Sequence, residues 1–160
     1  MTIQVGDKIP SVTLAHMAGE GPAAIGTEEI FSGKKVVLFA LPGAYTPTCS
    51  AQHVPGFLKN ADAIRAKGVD TIACLSVNDA FVMGAWGKDL GVGDAVLMLA
   101  DGSADFTKEV GLVLDLSERG FGLRSERYAM IVEDGVVKAL HVEPPGAFGV
   151  SSAESILAEL

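Results

Sequence analysis

Apolar positions along this 160-residue chain gather in short runs separated by polar, glycine-containing stretches. Val36 to Leu41 is continuously apolar, as in a strand covered on both faces. Val69 to Val77 and Ala95 to Ala100 carry a similar pattern. Tyr128 to Val132 and Val136 to Val142 flank Glu133-Asp134-Gly135, which predicts a hairpin. Ser11 to His16 is a weaker candidate strand. Helices are expected between these runs. The longest reads from Pro47 to Lys67, with Gly68 as its C-terminal cap and a kink at Pro55, which lacks an N–H and crowds the preceding turn. A second helix starts near Asn78 or Asp79 and stops before Gly91, and a short third one surrounds Asp105 to Val110. The last starts at Ser151, with Glu154 three residues on in a capping-box pattern, and runs to the end of the chain.

The order is therefore β-α-β-α-β, then a hairpin, then a helix. Alternation of strand and helix predicts an α/β fold with parallel strands in its first part, and the hairpin adds antiparallel ones. A central mixed sheet flanked by helices in this order is a thioredoxin-like fold with an insertion. No internal repeat, low-complexity stretch or linker interrupts it, and 160 residues suit one domain spanning positions 1–160.

Composition narrows the function classes. The net charge is −8 with only 12 Lys and Arg, so no basic face is available for nucleic acid and no polybasic run for an anionic membrane. Mean hydropathy is +0.36, yet no apolar run approaches a bilayer span. Two cysteines, Cys49 and Cys74, are too few for a disulfide scaffold or a Cys-rich zinc site. The N-terminus shows no secretory signal pattern, so a reducing, cytoplasmic setting is the expectation.

The richest segment for chemistry is Leu41-Pro42-Gly43-Ala44-Tyr45-Thr46-Pro47-Thr48-Cys49-Ser50. It leaves a buried strand at its carboxyl end, where α/β sheets place their sites, and opens a helix. Pro47 suits the first helical position, which puts Thr46 at the N-cap and Cys49 third in the helix. The sulfur then lies near the positive end of the helix dipole and unpaired backbone N–H groups, an environment that favours thiolate. Most lone helical cysteines are inert buried hydrophobes, but this position argues otherwise.

The residues Pro42, Thr46 and Cys49, in a P-x-x-x-T-x-x-C pattern, resemble the peroxiredoxin signature. The longer stretch PGAYTPTCSAQHVPGF is similar to the peroxiredoxin-5 (type II) subgroup. The likeness continues through SVNDAFVMGAW, RYAMIVEDGVVKAL and HVEP, covering nearly the whole chain. It implies a thiol peroxidase that reduces hydrogen peroxide and organic hydroperoxides through a Cys49 sulfenic acid. It also implies that Thr46 hydrogen-bonds the peroxide, that Pro42 shields the sulfur from water, and that Arg127 is the site arginine. A homodimer is implied too, with Tyr45, Phe81 and Phe121 as contacts.

Thiolate formation alone gives limited acceleration. An ordinary thiol is roughly 3% ionised at pH 7. Full ionisation therefore raises a rate by at most ~30-fold, equivalent to about 2 kcal/mol. Lowering a thiol's pKa also weakens it as a nucleophile. Rapid peroxide reduction thus needs donors aimed at the leaving oxygen, a task suited to Arg127 and Thr46. An N-cap threonine normally uses its hydroxyl to accept from the helix, so Thr46 is expected to combine a structural and a substrate role.

Other candidates are weaker. Arg124 reads as a solvated surface charge. His53 lies four residues after Cys49, on the same face of a straight helix. A Cys–His pair would suit acyl transfer, but the resemblance places His53 beside the site rather than in the role of a base. His16 and His141 show no metal-ligand spacing with the other candidates, and no metal or organic cofactor is expected. Cys74 reads as a core thiol, poorly placed to resolve a sulfenic acid at a helix start. The C-terminal tail lacks the resolving cysteine of some peroxiredoxin-5 members. An external thiol, glutathione or glutaredoxin in preference to thioredoxin, is the expected reductant. The C-x-x-C rival fails because Thr46 stands where the first thiol would be. A non-enzymatic redox relay using Cys49 is the alternative.

Overall fold

A computed structural model describes residues 1–160. The chain begins with a hairpin of β1 (Thr13–Ala18) and β2 (Gly21–Gly26), then a short helix α1 (Thr27–Phe31). The core strands are β3 (Lys35–Ala40), β4 (Thr71–Ser76) and β5 (Leu97–Ala100). Helices α2 (Val54–Lys59) and α3 (Ala61–Arg65) connect β3 to β4, and α4 (Ala80–Leu90) connects β4 to β5. After α5 (Asp105–Val110) come β6 (Val113–Leu116) and β7 (Gly122–Ser125), then β8 (Tyr128–Glu133), β9 (Val136–Val142) and α6 (Ala153–Leu157).

Seven strands form one sheet in the order β2-β1-β5-β4-β3-β8-β9, while β6 and β7 pair separately. The β3–β4 and β4–β5 pairs are parallel, and β3–β8 and β8–β9 are antiparallel. The fold is thus the mixed α/β sheet that the strand pattern predicts. The hairpin turn is as expected, with Asp134 and Gly135 both at positive φ.

Strand alternation divides the core into two layers. Val37, Phe39 and Leu41 point to one face with Cys49, Phe57, Met83, Trp86 and Ile156, so α2, α3, α4 and α6 cover that side. Val36, Leu38 and Ala40 point to the other with Ile30, Phe31, Phe106 and Val110, from α1 and α5. This double cover is why β3 is apolar at every position from Val36 to Ala40. Each large side chain fully buried in this way contributes about 1.5–3 kcal/mol.

Several sequence expectations need correction. The β2 strand, α1 and the β6–β7 hairpin lie where only loop was expected. The long Pro47–Lys67 helix is interrupted. Cys49–His53 forms a π-helical turn, with the Val54 N–H bonded to the Cys49 carbonyl, and a break at Asn60 separates α2 from α3. Pro55 accounts for the first irregularity, since its ring crowds the carbonyl four residues back and a wider turn relieves the clash. Ser152, not Ser151, caps α6, its hydroxyl accepting from the Ser155 N–H. Ser151 is used elsewhere, as described below.

Candidate active site

The loop after β3 is held from two sides before the helix begins. The Ala44 N–H donates to Asn78 Oδ1 at 3.0 Å, and the Ser76 hydroxyl donates to the same oxygen at 2.6 Å. Arg124, on β7, donates through Nε to the Phe121 carbonyl at 2.9 Å. Its Nη1 reaches the carbonyls of Pro42 and Val77, each at 3.4 Å. Arg124 is therefore a clamp on the loop rather than the solvated charge expected from sequence. Gly43 leaves room for this clamp, because a Cβ there would lie 2.9 Å from Arg124 Nη1 and push the guanidinium aside. Tyr45 sits at φ 65°, a left-handed conformation that costs about 1–2 kcal/mol for a non-glycine residue. Its hydroxyl donates to Asp89 Oδ2 at 2.6 Å, a bond that raises the Tyr45 pKa.

Pro47 and Thr48 open the helix, and the Thr46 carbonyl accepts from the Ser50 N–H at 2.9 Å, so Thr46 is the N-cap in backbone terms. Its hydroxyl does not cap. It donates to the Gly43 carbonyl at 2.7 Å, which commits its proton and leaves its lone pairs to accept. The expectation that Thr46 bonds a helix N–H is thus corrected: the sharp Gly43–Thr46 turn captures the hydroxyl first. The N–H groups of Thr48 and Cys49 have no hydrogen-bond acceptor in the protein.

Cys49 is fully buried. No backbone N–H bonds its sulfur; the donor is Arg127 Nη2, 3.1 Å from Sγ. Arg127 directly precedes β8, the neighbour of β3, so sheet pairing carries the guanidinium to the helix start. Its other arm, Nη1, donates to His53 Nδ1 at 2.8 Å. His53 Nε2 donates in turn to the Ser151 carbonyl at 3.0 Å, which fixes the tautomer that leaves Nδ1 able to accept. Glu143 secures Ser151: Oε2 accepts from the Gly149 N–H at 2.6 Å, the Ser151 N–H at 2.8 Å and the Ser151 hydroxyl at 2.7 Å. Burial pushes the Glu143 carboxyl up, but these hydrogen bonds outweigh it and hold its pKa below the ordinary value. Phe148 closes the assembly, its ring centroid 5.8 Å from the guanidinium carbon of Arg127.

His53 is packed among Phe39, Phe57 and Phe148. Burial, reinforced by the positive charge of Arg127, lowers its pKa to about 3. A neutral imidazole whose lone pair is already bonded to a guanidinium is not a general base, so the arrangement does not support Cys–His acyl transfer. Sequence reasoning placed His53 next to the site but missed that it orients Arg127. It missed Ser151 and Glu143 entirely, because their contributions depend on a loop folding back across about a hundred residues of chain.

Pro42, Thr48 and Arg127 line a cavity of about 110 Å³, together with Leu114, Glu126, Glu143 and the segment 144–147. Cys74 lies mid-strand in β4, beside Phe39 of β3, and is fully buried. Burial raises its pKa well above the thiol value, and the nearby Cys49 adds to the effect. Both cysteines are free thiols. No group of three or more His, Cys, Asp or Glu side chains is placed to hold a metal ion. No helix is long and apolar enough to cross a membrane.

The profile of the Redoxin family matches residues 4–157. The chain is 51% identical over 163 residues to the chloroplastic peroxiredoxin-2E of Arabidopsis thaliana, covering 99% of this chain and 70% of that protein. Reduced Prx3 of Vibrio vulnificus, in a crystal structure with hydrogen peroxide, superposes with a TM-score of 0.95 at 54% identity, covering 99% of each chain. Peroxiredoxin 5 of Alvinella pompejana superposes with a TM-score of 0.87 at 35% identity, covering 98% of this chain and 96% of that one.

Proposed function

The chain belongs to the peroxiredoxins, in their type II, peroxiredoxin-5-like branch, and is a thiol peroxidase; from that premise we propose that it reduces hydroperoxides at Cys49 by a one-cysteine cycle completed by an external thiol. The observation that carries the reading is the Arg127 guanidinium, 3.1 Å from the buried Cys49 sulfur and fixed by His53.

The hydroperoxide enters through the cavity beside Pro42, Thr48 and Arg127. A single water needs only about 10–15 Å³ of such space, so a peroxide with a short alkyl group is accommodated. The Thr46 oxygen accepts from the peroxide O–H. The Cys49 thiolate attacks the terminal oxygen; the S–O bond forms as the O–O bond breaks, and the electron pair leaves with the distal oxygen. Charge developing there meets the guanidinium and the free N–H groups at the helix start, donors already in place and shielded from water. The attacked oxygen keeps its hydrogen as the sulfenic acid. The departing alkoxide or hydroxide takes up the proton that the thiol gave up, yielding alcohol or water. Pro42 covers the sulfur against solvent.

Resolution then needs a second thiol. Cys74 is a poor candidate: it is enclosed in the sheet core, and its raised pKa keeps it in the unreactive thiol form. Glutathione or glutaredoxin therefore fits better than an internal disulfide passed to thioredoxin. The resulting mixed disulfide is cleared by another donor thiol, which regenerates Cys49. A homodimer fits the exposure of three aromatic side chains, Tyr45, Phe81 and Phe121, on one chain.

The test is the intact mass of reduced protein after brief treatment with less than one equivalent of hydrogen peroxide, alongside Cys49→Ser. One oxygen gained by the wild type alone supports the one-cysteine cycle. Loss of two hydrogens with no oxygen gained means that Cys74 resolves the sulfenic acid and overturns it. Steady turnover with glutathione and glutaredoxin, without a partner protein to oxidise, separates the peroxidase from a redox relay.

A further inference from the structure

The cavity that leads to Arg127 has a chemically lopsided wall. Two acidic residues line it, Glu126 and Glu143, against the single basic residue Arg127. The three charges are not equally available. Arg127 is turned inward, with one arm on the Cys49 sulfur and the other on His53. Glu143 is occupied by Gly149 and Ser151. Arg124, the next nearest cation in sequence, is committed to the carbonyls of Phe121, Pro42 and Val77. Glu126 differs from all of these. Its backbone is anchored, the N–H donating to the Leu112 carbonyl at 2.8 Å and its carbonyl accepting from the Ser125 hydroxyl at 2.7 Å. Its carboxylate has no hydrogen bond and no ion pair. Partial burial raises its pKa, a sign that the group is drawn into the wall without a partner to compensate it.

We propose that Glu126 is a charge filter at the mouth of the peroxide cavity, selecting neutral hydroperoxides against peroxides that carry a negative charge. The inference rests on the peroxidase reading above and names the substrate class that this chain's site prefers. Its physical basis is simple. Hydrogen peroxide and alkyl hydroperoxides cross the mouth uncharged, so an unpaired carboxylate there costs them little. A hydroperoxide with a carboxylate on its tail, or an anionic peroxide, must pass Glu126 in a partly desolvated channel, where like charges repel more strongly than in water. The leaving oxygen becomes negative only after it has reached Arg127, so the filter acts on entry and not on the chemical step.

The experiment compares an aliphatic hydroperoxide bearing a terminal carboxylate with its methyl ester, at pH 8, where carboxylates are ionised. Second-order rate constants are measured for wild type, Glu126→Gln and Glu126→Lys. Because the chain carries a net charge of −8, a remote control is needed. Glu20→Gln, an exposed residue in the β1–β2 turn at the far edge of the sheet, changes the net charge by the same amount. The ester-to-acid ratio should fall by about three- to tenfold in Glu126→Gln and further in Glu126→Lys. It should stay near the wild-type value in Glu20→Gln. Since the Glu126 carboxylate makes no bond in the fold, the Gln variant is expected to fold. Equal ratios in wild type and both Glu126 variants overturn the filter, as does an equal fall in Glu20→Gln. Failure of the wild type to reduce the ester, the acid and hydrogen peroxide alike sinks the peroxidase reading instead.

Discussion

Replacing His53 by leucine tests the hydrogen-bonded chain behind Cys49 through its pH dependence. The imidazole is buried and its pKa is lowered to about 3 from 6.5. Between those two values the unfolded chain binds a proton that the folded chain refuses. The native state therefore loses stability as pH falls through this window and regains it as pH rises. At pH 5 protonation of His53 favours the unfolded wild type by about 2 kcal/mol, whereas at pH 7 the effect is nearly absent. His53→Leu abolishes this dependence but leaves an Arg127 N–H and the Ser151 carbonyl unpaired. That loss is worth about 1–3 kcal/mol for each group at either pH. The variant should thus be the less stable protein at pH 7, with the gap to wild type narrowing by about 2 kcal/mol at pH 5. Urea unfolding of both reduced proteins at the two pH values measures this directly. A gap that stays constant between pH 7 and pH 5 would refute the neutral, Arg127-bonded imidazole.

Three further outcomes are expected. Arg127→Lys has one nitrogen where the guanidinium uses two, so it cannot hold His53 and face the sulfur together; the second-order constant for hydrogen peroxide should drop by about 10²–10³, measured by competition with a reference peroxidase. Thr46→Val should slow the same reaction while Thr46→Ser retains most of it, because only serine keeps both the bond to the Gly43 carbonyl and the free lone pairs; equal rates in the two variants would remove the hydroxyl from the site. Gly43→Ala places a methyl 2.9 Å from Arg124 and 3.3 Å from the Thr46 side chain, and should lower stability by about 1–3 kcal/mol, with a matching fall in melting temperature that Arg124→Ala partly relieves in the double variant.

The part of the fold readable from sequence was the part whose signal is local or doubly buried. Strands β3, β4 and β5 are covered on both faces, so their apolar runs stand out, and α4 announces itself through Asp79 at one end and Gly91 at the other. Strand β2 is Gly-Pro-Ala-Ala-Ile-Gly, with neither alternation nor β-branched bulk; it is a strand because β1 pairs with it. Helix α1 has only five residues, too few to show a helical period. At the site, Pro42, Thr46 and Cys49 fall within one motif and could be found together. Their hydrogen bonds could not: the Thr46 hydroxyl turns back to Gly43, and Arg124 looks like any surface charge until β7 brings it against the loop. The chain from Glu143 through Ser151 and His53 to Arg127 joins three separated segments, and no local pattern encodes it.

In the one-cysteine cycle proposed above, the complete burial of the Cys49 sulfur sets two different clocks. A peroxide is small enough to react with the closed protein. A glutathione or a protein thiol, as the proposed reductant, is larger, and its access to the buried sulfur would require the turn around Cys49 to unwind. That turn is π-helical, looser than the α-helix it feeds, and is a natural place for the chain to open. Between oxidation and opening, the sulfenic acid is exposed to peroxide but hidden from its reductant. The length of this interval determines what fraction of molecules meets a second peroxide and is lost to the sulfinic acid. A substitution that tightened the turn would therefore leave the first oxidation untouched while shortening the working life of the enzyme.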